Sequence, residues 1–369
     1  MARGADLLVT SPPRWEDGRT FLVLNPRLPA AMRARILSAE FPEAPGRVWL
    51  ATSGTGGVTK MVALSRAALE ASARAVNARL DAGPRDVWLN PLPLFHAGGL
   101  GIMVRAALSG ARREDTGAWS AETFLRRLGE TGATLTSLVP AQVHDLARSG
   151  VRPPSGLRAA VVGGGALDEP LRAIMADRGW PLLPSYGLTE AASQVATALP
   201  GQTDFAWLPL LPHFEARTAP DGILELRGPA LLDGWMVFPA DRAPEWEDPK
   251  RDGWLRTGDR AELRGRELRV AGRADDLVKI RGELVDLAAL ERSLQACVRS
   301  GKVALHSRPD ERNGATLHVV AENTAAVREA DAAIDGIFPP YARPSEVVCG
   351  TIETTALGKT VRSRSGRGV

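Results

Sequence analysis

The stretch "TSGTGGVTK" at 52–60 gathers Thr52, Ser53, Gly54, Thr55, Gly56, Gly57 and Lys60 into nine residues. A glycine-rich backbone offers N–H groups, and the hydroxyls and the ammonium add donors. The chemistry this suits is phosphate binding. The lysine is informative because the chain has only five, Lys60, Lys250, Lys279, Lys302 and Lys359, against 41 arginines. Where arginine prevails so strongly, a lysine marks a place that needs a compact ammonium and not a wide planar fork. The loop is not a Walker A loop: Thr59 precedes Lys60 where glycine belongs, and Met61 follows where Ser or Thr belongs. A surface turn is the plain alternative.

Other segments offer related chemistry. "GGGAL" at 163–167 contains Gly164, Gly165 and Ala166 between a strand-like and a helix-like run. That is the setting of a dinucleotide fingerprint, but Asp168 stands where its last glycine belongs, so a tight turn or a close approach remains. "PSYGLTEAASQVAT" at 184–197 supplies Tyr186, a hinge-like Gly187, Thr189 and Glu190. A carboxylate beside a hydroxyl could share Mg²⁺ with phosphate oxygens; the alternative is a loop with a helix cap at Thr189. "GWLRTGD" ends in Asp259, able to accept both hydroxyls of a ribose or to make an Asx-type turn. His96 in "PLFHAGGLG" is either structural or beside a ligand.

The elements that must position these groups alternate through the first two thirds of the chain. Strand patterns at 47–52, 86–92, 133–139 and 157–163 interleave with helical patterns at 65–80 and 168–179, which predicts a parallel α/β sheet. From about 222, short strands with glycine turns predict a small antiparallel β section. Beyond the charged junction at 272–283 the expected order is helix, strand, strand, helix, strand. The predicted domains are therefore 1–274, a large α/β domain, and 275–369, a small mobile α+β domain. The chain has 369 residues, 44% hydrophobic and 24% charged, with net charge +3. Its basic residues are spread thinly apart from the tail "KTVRSRSGRGV", which reads as a solvated, frayed end, and this argues against nucleic acid as a partner. Cys297 and Cys349 lack metal-ligand spacing and form no disulfide framework, so the expected compartment is the cytoplasm. The first residues lack a signal-peptide core, and no apolar run is long enough to cross a bilayer.

"TSGTGGVTK", "PLFHAGGLG", "GGGAL", "YGLTE", "GWLRTGD", "GRADDLVKIRGE" and "LGKTVR" stand in the order found in the acyl-adenylate-forming superfamily, which the chain resembles from about 21 to 364. Within it, "YGLTEAASQVAT" is most similar to o-succinylbenzoate–CoA ligases of menaquinone biosynthesis. The resemblance implies an acid–CoA ligase that uses ATP, Mg²⁺ and coenzyme A on a small carboxylic acid. It implies that the Thr52–Lys60 loop holds the β- and γ-phosphates. Gly164, Gly165 and Ala166 flank the adenine, and Tyr186 stacks on it. Thr189 contacts the α-phosphate, Glu190 binds Mg²⁺, and Asp259 holds the ribose with help from Arg273. His96 lies at the acyl pocket, Asp275 is the hinge, Gly282 lines the pantetheine tunnel, and Lys359 is the mobile catalytic lysine. Ser193 and Gln194 are candidates for a second substrate carboxylate.

The match departs from the family at Gly56 and Thr59, where hydroxyl-bearing and proline residues are common, and at Phe95, where many relatives have histidine. Only 51 residues precede the loop. That leads to the expectation of a compact ligase whose pocket is more open, or is completed by a second subunit in a homodimer. The rival readings are another aryl- or acyl-CoA synthetase, an enzyme that loads a carrier-protein thiol, and a non-catalytic nucleotide-binding relative.

Overall fold

The computed structural model describes residues 5–8, 20–26, 28–42, 46–53, 59–239, 241–274, 277–281, 283–310 and 312–352. Its contacts divide the chain into two compact units. Among the described residues, one contains those up to 257 together with 262–270; the other contains 258–261 and those from 271 onward.

The first unit opens with β1 (Ala5–Leu8), β2 (Thr20–Val23), α1 (Ala30–Ser38), β3 (Arg47–Ser53) and β4 (Thr59–Ser65). β3 and β4 pair antiparallel from Arg47↔Ser65 to Ser53↔Thr59, so the glycine-rich segment joins two arms of a hairpin. Ser65 then caps α2 (Arg66–Leu80), its hydroxyl accepting from the Ala68 N–H at 3.1 Å.

Next come β5 (Val87–Asn90), α3 (Ala97–Ser109), β6 (Arg112–Asp115), α4 (Ala121–Thr131), β7 (Leu135–Leu138), α5 (Pro140–Ser149), β8 (Ala159–Val162), α6 (Glu169–Asp177), β9 (Leu182–Leu188) and β10 (Ser193–Thr197). The strands form a sheet in the order β10-β9-β8-β7-β5-β6, parallel except where β10 folds back on β9. Both faces are covered. Ala160 and Val162 of β8 join Phe124, Leu128, Val143 and Met175 in one apolar layer. Ala159 and Val161 join Val76, Leu80, Trp88 and Ile102 in the other. A strand buried on both faces must be apolar at every position, as "AAVV" is.

Then follow β11 (Leu208–Pro209), β12 (Glu215–Thr218), β13 (Ile223–Arg227), β14 (Gly234–Phe238), β15 (Glu245–Glu247), β16 (Lys250–Arg251), β17 (Trp254–Arg264) and β18 (Glu267–Arg273). β14 and β15 extend the first sheet, in the order β1-β2-β3-β4-β14-β15; a third sheet runs β11-β18-β17-β13-β12, with β16 on β17. Met236 and Phe238 of β14 pack with Trp49, Met61 and Ile36. The second unit continues with β19 (Leu277–Ile280) and β20 (Glu283–Asp286), a hairpin. α7 (Leu287–Cys297), β21 (Val303–Asp310), β22 (Gly314–Ala321), α8 (Thr324–Ile337) and β23 (Glu346–Cys349) complete it. Leu287, Leu294, Leu317, Val319, Ala330 and Ile334 form its core. Among the described residues no helix is long and apolar enough to cross a membrane.

Candidate functional site

Three of the candidate segments emerge at the carboxyl ends of parallel strands, the edge where α/β sheets bind ligands. His96 follows β5, Gly164–Ala166 follow β8, and Tyr186 lies near the end of β9. β8 and β9 are parallel neighbours with Val162 beside Pro184, and the Ser185 hydroxyl donates to Val162 O at 3.0 Å. Gly164–Ala166 and Tyr186 are therefore adjacent. Gly164, Gly165 and Ala166 are exposed, and Gly164 has φ +81°.

Thr189 and Glu190 lie in a single 3₁₀ turn, Thr189–Ala191, between β9 and β10. Thr189 is inside that turn, and Leu188 occupies its cap position. Gly187 stands opposite Gln194, and a Cβ there would lie 1.8 Å from the Ser193 carbonyl oxygen. Ala192 and Ser193 both have positive φ, 50° and 106°. Backbone of this kind in a non-glycine residue persists only when its surroundings over-determine it. Here the Ser72 hydroxyl donates to Ala192 O at 3.0 Å, and the Leu232 N–H donates to Glu190 O at 2.8 Å.

His96 occupies the N-cap position of α3 without a side-chain cap bond, and its ring lies tilted against that of Phe95 with centroids 4.6 Å apart. Within α3 lies a group that periodicity did not single out. Arg105 is 1% exposed. Its Nη2 donates to Ser193 Oγ at 3.2 Å. With the Gln194 amide oriented to satisfy both ends, Gln194 Oε1 accepts from Arg105 Nη1 and Nη2 at 3.2 and 3.1 Å. The guanidinium carbon lies 5.8 Å from the Trp88 ring centre, and Nε has no hydrogen-bond partner. Among the described residues no carboxylate pairs with it. Burial lowers its pKa to about 10, which still leaves it charged at neutral pH. The available signal was a single charge inside the apolar run "AGGLGIMVRAALS".

Thr52 and Lys60 face each other across the β3–β4 hairpin. The Lys60 ammonium lies 3.5 Å from the Trp235 ring centre. Burial lowers its pKa, while the charges of Glu247 and Glu190 oppose the shift. Lys60 and Glu190 are thus near enough for their charges to interact. Lys250 has a structural task instead: its Nζ donates to Leu232 O at 2.7 Å and Asp233 O at 3.1 Å and pairs with Asp248. A compact ammonium meets three acceptors there where a planar fork would not.

In the second unit Asp259 and Arg273 pair at 3.4 Å. Asp259 was expected in a glycine turn; it lies in the eleven-residue strand β17. A Cβ on Gly258 would sit 2.3 Å from Arg273 Nη2, so the missing side chain gives the guanidinium its place. The side chain of Ser53, and all of Gly54–Gly57, Asp275, Gly282 and Lys359, lie outside the described residues.

The parallel sheet, its ligand edge and the turn carrying Glu190 define a class. Residues 47–215 match the AMP-binding enzyme family, in keeping with the resemblance of the sequence motifs to the acyl-adenylate-forming superfamily. Among its relatives, the 2-succinylbenzoate–CoA ligase of Salmonella typhimurium is 34% identical over 251 residues, covering 66% of this chain and 51% of the relative. That of Listeria monocytogenes is 28% identical over 326 residues, covering 85% and 68%. The chain thus spans about half to two thirds of the length of these curated relatives. The o-succinylbenzoate CoA synthetase of Bacillus subtilis, solved in complex with its acyl-adenylate intermediate, superposes with TM-score 0.74 at 25% identity, covering 85% of this chain and 68% of that one.

Proposed function

We propose that the chain is an ATP-dependent acid–CoA ligase that forms an acyl-adenylate and then a CoA thioester, with o-succinylbenzoate as the acid. The observation that carries the choice of acid is Arg105. A buried guanidinium without a carboxylate partner is costly. A substrate with a second carboxylate, bound beside Ser193 and Gln194, would supply the missing anion. A monocarboxylic acid would not.

The chemistry joins a carboxylate to the α-phosphorus of ATP, two groups that repel each other. Cations must stand where the negative charge gathers. Lys60 and the glycine-rich segment before it serve the β- and γ-phosphates, and Thr189 serves the α-phosphate. Gly164–Ala166 and Tyr186 receive the adenine. Asp259, with Arg273, takes the ribose hydroxyls. His96 borders the acyl group. A single carboxylate such as Glu190 suits Mg²⁺, which takes most of its ligands from nucleotide oxygens and water. When bound, Mg²⁺ would neutralise the departing pyrophosphate. Lys359 would bridge the reacting oxygens in adenylation, Asp275 would be the hinge between the half-reactions, and Gly282 would lie along the path of coenzyme A. The two cysteines are free and exposed, which supports a reducing cytoplasmic compartment.

The test is product analysis with ATP, Mg²⁺, coenzyme A and a panel of aryl and aliphatic acids. The expected result is AMP, pyrophosphate and CoA thioester in equal amounts, fastest with o-succinylbenzoate. Equal or faster turnover of its monocarboxylic analogues would remove the dicarboxylate reading. Adenylation without thioester formation would favour an enzyme that loads another thiol.

A further inference from the structure

The place of Lys60 is set by neighbours that none of the candidate motifs contains. β14 pairs with β4 so that Val237 faces Lys60 and Trp235 faces Val62. Trp235 is therefore the diagonal neighbour of Lys60 on the same face, within reach of a long side chain. On the next strand Trp235 faces Glu247, and its indole Nε1 donates to Glu247 Oε2 at 3.0 Å. Three adjacent strands thus bring Lys60, Trp235 and Glu247 together on one face of the sheet. The ammonium rests 3.5 Å from the ring centre, a cation–π geometry. The indole is tethered at its polar edge and cannot turn without losing a charge-assisted hydrogen bond.

We propose that Trp235 is a positioning residue for nucleotide: its ring seats the Lys60 ammonium, and Glu247 holds the ring. This deepens the nucleotide reading of the site and rests on it. A free lysine loses rotamer freedom when it meets a phosphate; one already seated loses little, and the difference appears as affinity. The ammonium has three donors, so it can keep the ring on one side and offer N–H groups to a terminal phosphate on the other.

The test is calorimetric titration of the full chain with MgATP, and separately with inorganic pyrophosphate. The variants are Trp235→Leu, Trp235→Phe, Lys60→Met and the double variant Lys60→Met/Trp235→Leu. W235L should weaken MgATP binding about two- to thirtyfold. W235F keeps an aromatic face and should recover most of that loss. In the Lys60→Met background, W235L should cost nothing more. Should W235L fail to fold, Trp235→Met replaces it in the same cycle. Independent, additive losses from the two positions, or equal losses for Leu and Phe, would overturn the positioning role alone. A wild-type chain that binds neither MgATP nor pyrophosphate would overturn the nucleotide reading, and this inference with it.

Discussion

A buried charge shows what a pocket is built to receive only when its partners are counted. Arg105 has a serine hydroxyl, an amide oxygen and an aromatic face, and no carboxylate among the described residues. Its substitution therefore bears on specificity more than on the phosphate chemistry. Arg105→Met should raise KM for o-succinylbenzoate about ten- to a hundredfold, the usual worth of a hydrogen bond to a charged group, while KM for ATP stays within about twofold. Arg105→Lys keeps the charge but cannot reach Ser193 and Gln194 with one fork, so it should restore only part of the loss. Steady-state kinetics with the acid varied, then with ATP varied, separate the two effects. An equal rise in both constants would reduce Arg105 to a packing element. For Lys359 the proposal makes a different demand. Lys359→Ala should slow adenylation about a hundred- to a thousandfold. Thioester formation from synthetic acyl-adenylate should change far less, as single-turnover measurements of each half-reaction would show.

At the scale of elements, what was legible in the sequence was local. The α2 cap at Ser65, the apolar run of β8 and the glycine turn after it are written in consecutive residues. What stayed hidden depends on partners distant in the chain. The segment after the glycine-rich loop is β4, and it needs β14, some 170 residues on, to complete its pairing. Without that partner β4 reads as an edge strand; with it, Lys60 lies on a strand paired on both sides. Arg105 and Trp235 were missed for the same reason, since their contacts are with Ser193, Gln194, Lys60 and Glu247. Gly187 lies between the two cases: its freedom was legible, but its reason is the Ser193 carbonyl against which it packs. Gly187→Ala must push β10 away from β9 and so displace Glu190, Ser193 and Gln194 together. The expected cost is about 1–3 kcal/mol of stability, with kcat falling more than the thermal midpoint alone explains. Urea unfolding and turnover of the same preparation test it. Intact turnover in a stable Gly187→Ala variant would show that the turn does not set the site.

Across the parallel sheet of the first unit as a whole, the two edges carry different work. The carboxyl edge holds His96, Gly164 and Tyr186. At the amino edge, Asp86 before β5 accepts from Thr134 Oγ1 before β7 at 2.7 Å and from Arg158 Nε before β8 at 2.9 Å. Its second oxygen accepts from Arg158 Nη2 at 2.7 Å and the Gly83 N–H at 2.9 Å. Burial alone would raise the pKa of this carboxyl, but Arg158, Thr134 and Gly83 outweigh it and bring it down to about 2 from 3.8. The folded value lies below the unfolded one, so the unfolded chain binds the proton more readily. The stabilisation is then complete above about pH 4 and is lost as pH falls through about 2. Asp86→Asn should lower stability by about 1–3 kcal/mol at neutral pH, since donors built for a carboxylate are left poorly satisfied. It should also flatten the decline of stability between pH 4 and pH 2. Because these groups stand at the opposite edge from the ligand, kcat and both KM values should stay within about twofold wherever the variant is folded. Urea titrations across that pH range, with turnover measured at neutral pH, decide the point. A variant that keeps its stability but loses turnover would show that the two edges do not divide the work in this way.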